Sequence, residues 1–359
     1  MCMNDGSRIS VTSIRTFKRC RRKWYYKYVE RMSPKQKASY LNLGVFIHKA
    51  MESHYSALDW KQAVHDLAAE SIQNTVNKMQ LGYDWDEALA VEKTAEINNL
   101  RNRAVEIMGR YIEFDRTNPL VRAGWKVLGV EVNILEWELT IPGTDIFLEG
   151  FIDMVLEDEY GGIWAVEHKT GAQFFSVESL DLDEQASTYL WALSHRYPDK
   201  KVSGIIYNLV RTKVPSIPQM LKSGEMSRSK IDTTWDIYVL ALRENGLNEQ
   251  DYGAMKDRLS LNHFFKRDQV YRSQVELGNF EIDLQDVIHD IEDTMNNARF
   301  TRTPTKDCTW ECPFREICIM EYKGLDIGEV SSLKFTKRSL PPTEQDFDQA
   351  LLEFAKFCK

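Results

Sequence analysis

The sequence predicts an α/β fold in which a long helical region precedes a sheet core. Two observations carry this. From Trp60 to about Asn118 the chain is nearly free of Gly and Pro and rich in Ala, Glu, Lys and Leu, the composition of amphipathic helices. At Trp125 the composition changes. Lys126–Leu139, Ile146–Leu156 and Ile163–Thr170 have strand composition and are separated by Pro142-Gly143 and by Glu157–Gly162, so three strands joined by short turns are expected to form an antiparallel meander.

The remaining elements follow in order. Residues 10–30 read as a helix opened by Ser10, Thr12 or Ser13, with Ile14, Phe17, Trp24 and Tyr28 at its apolar positions. A second helix follows Gly44 and carries Val45, His48, Lys49 and Glu52, and two or three helices fill residues 60–118. Beyond the meander, Asp183 to about His195 reads as a helix, Val202–Val210 as a buried strand, and Pro215–Ser229 as a loop. Helices over about 233–260 and 281–298 precede a cysteine cluster. After Lys334 comes a tail whose Pro341-Pro342-Thr343 leads into an amphipathic helix ending at Lys359. The division this implies is one domain over 1–330 and a tail over 331–359. Within the domain lie basic N-terminal helices (1–59), a helical insertion (60–124), a sheet core (125–215), a loop with helices (216–300) and the cysteine region (301–330).

With 43% hydrophobic and 11% aromatic residues in 359, the chain has enough apolar surface for a sizeable core. No apolar run approaches the roughly 20 residues of a membrane helix, and Met1 to Arg8 do not resemble a signal peptide, so a cytoplasmic protein without a membrane partner is expected. The six cysteines, at 2, 20, 308, 312, 318 and 358, suit reduced thiols or metal ligands better than a disulfide scaffold. Net charge is −8, yet Arg8–Lys37 holds eleven Lys or Arg against one acid, Glu30, a local +10 that leaves −18 for the rest. Such a segment is either a docking face for nucleic acid or a solvated basic helix. Its Phe17, Trp24, Tyr25, Tyr26 and Tyr28 would stack on bases in the first case and pack into the core in the second.

Chemistry concentrates in the meander. Phe147, Glu149, Phe151 and Asp153 alternate onto one face of their strand, and Glu167 and Lys169 share a face of the next. Pairing across Gly161-Gly162 would bring Asp153, Glu167 and Lys169 around one point. Two carboxylates suit Mg²⁺ or Mn²⁺, and a lysine beside them suits a phosphodiester whose charge grows during hydrolysis. The apolar Ile163-Trp164-Ala165-Val166 ends abruptly in Glu-His-Lys, and charges at the end of a buried strand need a reason.

Gly150-Phe151-Ile152-Asp153 and Val166-Glu167-His168-Lys169-Thr170 resemble the second and third motifs of the RecB-like branch of the PD-(D/E)xK nuclease superfamily. Leu43-Gly44-Val45-Phe46-Ile47-His48 is similar to the first motif of that branch, and Gln185 with Tyr189 to its QxxxY motif. The resemblance implies a restriction-endonuclease-like core with a central mixed β-sheet flanked by helices. It implies His48, Asp153 and Glu167 as metal ligands, helped by the backbone carbonyl of His168, and Lys169 as the catalytic lysine. Gln185 and Tyr189 would position DNA or brace the site. Glu131, on a preceding strand, is a further candidate.

Cys308, Cys312 and Cys318 form a compact triplet that leaves a cubane one ligand short. Cys20 would be the fourth, as in the iron–sulfur members of that branch, where an early cysteine joins a late triplet; here Glu311 makes the first spacing three residues where many relatives have two. A [4Fe–4S] cluster is then expected, with a four-thiolate Zn²⁺ site or plain buried cysteines as alternatives. Closing nearly the whole chain into one loop would make its role structural.

The function implied is a metal-dependent DNA exonuclease acting on DNA ends and single strands in recombination, repair or phage DNA processing, with a recombination or CRISPR-adaptation protein as a further partner. The alternatives are a catalytically silent DNA-binding or recombination-partner protein with a nuclease fold, and a structure-specific endonuclease.

Overall fold

The computed structural model describes residues 8–35, 43–81, 87–229 and 231–338. Strand β1 (Arg8–Ser10) runs into helix α1 (Val11–Arg19), which Ser10 caps by accepting the Ser13 N–H at 3.2 Å. The single helix expected over 10–30 is broken. Cys20 is extended, and a four-residue helix α2 (Arg21–Trp24) and a π-helical turn (Tyr25–Val29) follow it. Strand β2 (Met32–Pro34) and helices α3 (Leu43–Tyr55), α4 (Trp60–Leu81) and α5 (Glu87–Thr117) come next, so two helices fill the region where two or three were expected.

The sheet region opens with β3 (Lys126–Asn133). The next expected strand is two, β4 (Phe147–Glu149) and β5 (Phe151–Glu157), divided at Gly150, whose carbonyl accepts the Ile134 N–H at 2.8 Å. β4 pairs parallel to β1 in a separate ribbon, which takes Phe147 and Glu149 out of the sheet that carries Asp153. Strand β6 (Ile163–Gly171), the short helix α6 (Val177–Asp181), helix α7 (Glu184–Arg196) and strand β7 (Val202–Arg211) follow. Helices α8 (Trp235–Glu244) and α9 (Gly253–Leu259) share the span read as one helix. Strand β8 (Phe265–Val270) was not expected, and α10 (Gln274–Asn296) starts earlier than residue 281. Helices α11 (Arg315–Tyr322) and α12 (Gly328–Lys334) lead to β9 (Phe335–Lys337), which pairs antiparallel with β2 and ties the two ends of the described chain together. The amphipathic helix expected after Pro342 lies outside the described residues, as do Cys2 and Cys358.

The central sheet has the order β3-β5-β6-β7-β8 and is mixed: the expected meander β3-β5-β6 is antiparallel, β6 and β7 are parallel, and β8 returns antiparallel to β7. The turn between β5 and β6 sets the register. Asp158 accepts N–H bonds from Tyr160 and Gly162 and from the Trp164 indole at 2.8–2.9 Å, and a Cβ on Gly162 would lie 2.3 Å from the Ser203 hydroxyl. The parallel step from β6 to β7 is made through α7, as parallel strands require a crossover.

Both faces of the sheet are covered. On one, α7 and α10 pack Leu190, Trp191 and Leu193 against Ile152, Ala165 and Tyr207. On the other, α3, α4 and α5 pack together around Phe46, Ile47, Met108 and Tyr111 and meet the sheet at Val210 and Phe265.

The basic N-terminal segment is docked on the acidic remainder. Arg15 and Lys18 reach Asp183 and Glu184 on α7, Arg19 reaches Asp307 and Glu311, Arg21 reaches Asp290 on α10, and Arg22 reaches Glu321 on α11. Phe17, Trp24 and Tyr26 are buried, at 2%, 6% and 1% exposure. Five of the eleven basic residues of this segment are thus paired with acids elsewhere in the chain, and these three aromatics belong to the core. Among the described residues no helix is long and apolar enough to cross a membrane.

Candidate active site

The β5–β6 ladder ends at the Met154–Val166 pair. Beyond it the carboxylate of Asp153 takes the place of a backbone partner and accepts the His168 N–H at 2.6 Å. Helix α3 brings His48 to the same point: its Nδ1 lies 3.8 Å from Asp153 Oδ2, and its ring hydrogen-bonds to the backbone of His168. Glu167 is 6% exposed; one oxygen accepts from Lys169 Nζ at 2.9 Å, and Oε2, equally buried, has no partner.

Lys169 is held from a second side. Its Nζ donates to Gln185 Oε1 at 2.6 Å, Gln185 Nε2 donates to the Tyr189 hydroxyl at 2.7 Å, and that hydroxyl donates to the Phe151 carbonyl. Gln185 and Tyr189, one turn apart on α7, therefore connect β6 to β5 beside the carboxylates. His168 points its side chain to the opposite face, where it stacks on Tyr55 and lies 2.9 Å from Asn208; its backbone faces Asp153, and its ring meets the His48 ring edge-on at 6.0 Å. Glu131 sits nearby in the left-handed region at φ 51°, a strained conformation for a side chain of this kind. Its charge acts on Asp153, and burial together with Glu52 raises its own pKa.

Local periodicity did not reveal three residues of this site. Asp183, the N-cap of α7, lies 3.6 Å from Lys169 Nζ and accepts from Arg15, from the Tyr207 hydroxyl at 3.1 Å and from the Gln185 N–H at 3.0 Å. Its only sequence signal was that of a helix start. Arg15 and Tyr207 are distant in sequence and reach the site only through the packing of α1 and the register of β7.

Burial dominates the electrostatics. It pushes Asp153 up to about 7, with Glu131 adding to the rise, and pushes Glu167 up to about 7, with Asp153 adding to it. It also lowers His48, and holds His168 well below the ordinary range. Carboxyl groups with raised folded-state pKa values contribute stability that is complete below about pH 4 and is lost as pH rises through about 7. Both histidines, held neutral in the fold by burial, add stability as the unfolded imidazoles lose their protons through about pH 6.5, and so offset part of this loss below pH 7. The metal-free protein is expected to lose about 1–3 °C of melting temperature between pH 6 and 8. Asp153→Asn should flatten the profile; a wild-type curve level across that window would contradict the electrostatics described here.

Two carboxylates, one of them with an orphaned buried oxygen, and an imidazole form a donor set that fits Mg²⁺ or Mn²⁺. No group of three or more His, Cys, Asp or Glu side chains among the described residues is drawn together tightly enough to hold a metal ion. The same applies to the cysteines. Cys20, Cys308, Cys312 and Cys318 are free and half-buried; Cys20 and Cys308 are felt electrostatically at Cys312, and Cys20 at Cys318. Burial raises Cys312 and Cys318, against a backbone N–H of Phe314 at the first and the Arg302 side chain at the second.

The family model of the PD-(D/E)XK nuclease superfamily matches residues 8–319. The chain belongs to that superfamily, and its mixed sheet flanked by helices, with an Asp on one strand and a Glu and a Lys on the next, accords with it. No curated protein matches the sequence.

Proposed function

We propose that the protein is a metal-dependent DNA exonuclease that hydrolyses phosphodiester bonds at DNA ends and on single strands. The observation that carries this is a buried Glu167 whose Oε2 has no partner, beside Asp153 and with the Lys169 amine 2.9 Å from its other oxygen. Burying two acids at this cost is unfavourable unless a cation is meant to join them.

His48, Asp153, Glu167 and the His168 carbonyl would hold Mg²⁺ or Mn²⁺. When bound, such an ion polarises the scissile phosphate and lowers the pKa of a coordinated water. Lys169 offers its ammonium group to a phosphate oxygen as negative charge grows there. Gln185 and Tyr189 fix the direction of that amine, and Asp183 faces it from the N-terminus of α7, acting as a positioning residue. Asp183→Asn keeps a good N-cap but removes the charge facing Lys169 and Arg15. It is expected to lower kcat about tenfold, with little change in melting temperature; a kcat within twofold of wild type would remove Asp183 from this role.

The exonuclease reading is supported by the likeness of the His48, Asp153, Glu167–Lys169 and Gln185–Tyr189 motifs to the RecB-like branch. Its test is a comparison of linear and circular single-stranded DNA with Mg²⁺ or Mn²⁺. The linear strand should shorten while the circle persists. Cutting of the circle would make the protein an endonuclease, and persistence of both would leave a DNA-binding role. Cys20, Cys308, Cys312 and Cys318 are proposed to hold a [4Fe–4S] cluster. Iron and sulfide with a brown colour in anaerobically purified protein would support it; stoichiometric Zn²⁺ would replace it.

A further inference from the structure

The sheet face opposite Glu167 and Lys169 carries a polar chain that the chemistry above does not use. Asn208 on β7 is fully buried, and His168 beside it is 4% exposed. Asn208 Nδ2 lies 2.9 Å from His168 Nδ1 and 2.9 Å from the Tyr111 hydroxyl, while its Oδ1 accepts from Arg267 Nε at 3.3 Å. Arg267 in turn donates to the Tyr111 hydroxyl at 3.1 Å and pairs with Asp115, which also accepts from the Tyr55 hydroxyl at 3.2 Å. Tyr55 and Tyr111 share a hydrogen bond of 2.5 Å, and the Tyr55 ring stacks on His168. The members come from α3, α5, β6, β7 and β8.

The chemistry of the donors fixes the orientation of the chain. A guanidinium can only donate, so the Asn208 oxygen must face Arg267 and its NH₂ must face His168. Nδ1 of His168 is therefore the acceptor, and the ring is neutral with its proton on Nε2. Such a network is fully engaged and has one arrangement. Its end point is the residue whose N–H orients Asp153 and whose backbone meets the His48 ring.

We propose that the chain Asp115–Arg267–Asn208–His168 is a positioning device for the metal site. By clamping the backbone of residue 168 from the far side of the sheet, it sets the spacing of Asp153, His48 and the His168 carbonyl. Metal affinity then depends on α5, a helix that carries neither a metal ligand nor Lys169. This inference rests on the metal-site reading given above. Outer partners of metal ligands change affinity by about 10–100-fold when removed.

The test uses the full chain, with Mn²⁺ as the probe. Asn208→Leu removes the links to His168, Tyr111 and Arg267 with the same number of side-chain heavy atoms, and Mn²⁺ binding by calorimetry or electron paramagnetic resonance is expected to weaken about tenfold. The loss in cleavage should fall on kcat, with KM for DNA unchanged. Tyr111→Phe deletes one hydroxyl from the same network and should weaken Mn²⁺ about threefold; it decides the matter if Asn208→Leu does not fold. A network that only stabilises the core would lower the melting temperature and leave the Mn²⁺ affinity of the folded protein within twofold of wild type, and that result overturns the proposal. Asp153→Asn separates the two readings. If it abolishes Mn²⁺ binding while the network variants do not weaken it, only the positioning role fails; if Asp153→Asn leaves Mn²⁺ binding intact, the metal site itself fails.

Discussion

Lys169→Ala is expected to lower kcat for DNA cleavage about a thousandfold while leaving KM for DNA within roughly threefold and the melting temperature within a few degrees. The separation of these effects follows from where the amine is held. Its partners are Glu167 at 2.9 Å, Gln185 at 2.6 Å and Asp183 at 3.6 Å, all inside the site, and α7, which carries the last two, is held on the sheet independently by Leu190, Trp191 and Leu193. Removing it leaves Glu167 without its cationic neighbour, and a carboxyl already raised by burial then stays protonated to higher pH instead of unfolding the sheet. An interaction with charge that develops during the reaction is one a bound substrate does not yet make, which places the loss on kcat. Activity within tenfold of wild type would remove Lys169, and with it the assignment of the Asp153–Glu167 pair, from the proposed mechanism. Gln185→Leu should reproduce part of the loss, since the amine would keep its charge but lose one of the two contacts that aim it.

How much of this was legible beforehand depended on whether a residue's partner was local. Asp153, Glu167 and Lys169 could be read because alternation along a strand is a two-residue rule and the turn at Asp158–Gly162 is short enough to set the pairing. Gln185 and Tyr189 were picked out by their resemblance to the QxxxY motif, and one helical turn between them puts both on one face. The break at Cys20 could not. Phe17, Trp24 and Tyr28 keep helical spacing across it, and the chain leaves the helix without a Gly or Pro to mark the point. Strand β8 was missed for a related reason. Lys266, Arg267, Asp268 and Gln269 show none of the alternation that marks a half-buried strand, because Arg267 is turned inward to meet Asp115 and Tyr111. The basic segment was ambiguous for as long as its acidic partners, all more than a hundred residues away, could not be seen.

The same docking of α1 gives the second large effect. Cys20 follows directly on Arg19, whose guanidinium pairs with Asp307 and Glu311, on either side of Cys308 in sequence. Arg22 and Arg302 both reach Glu321 on α11, and the Tyr26 hydroxyl donates to the same residue at 2.8 Å. Tyr26 also packs with Phe314, Ile317 and Phe335 in a small core to which Cys312 and Cys318 contribute. This core is small and rimmed by ion pairs that are half-exposed at Glu321 and more open at Arg19, so each contributes modestly in water. A cluster bonded to Cys20 and to the late triplet would remove far more freedom from the unfolded chain than those contacts do, on the order of 5 kcal/mol for a loop this long. Cys20→Ser is therefore expected to bleach the visible absorption and to lower the unfolding free energy by about that amount. Because α1 also holds Asp183 through Arg15, cleavage should fall with the folded fraction and recover when low temperature restores it. A Cys20→Ser protein that keeps its iron, its colour and its stability would show that the fourth ligand lies elsewhere. A colourless wild type as stable as the variant would show that no cluster joins these cysteines.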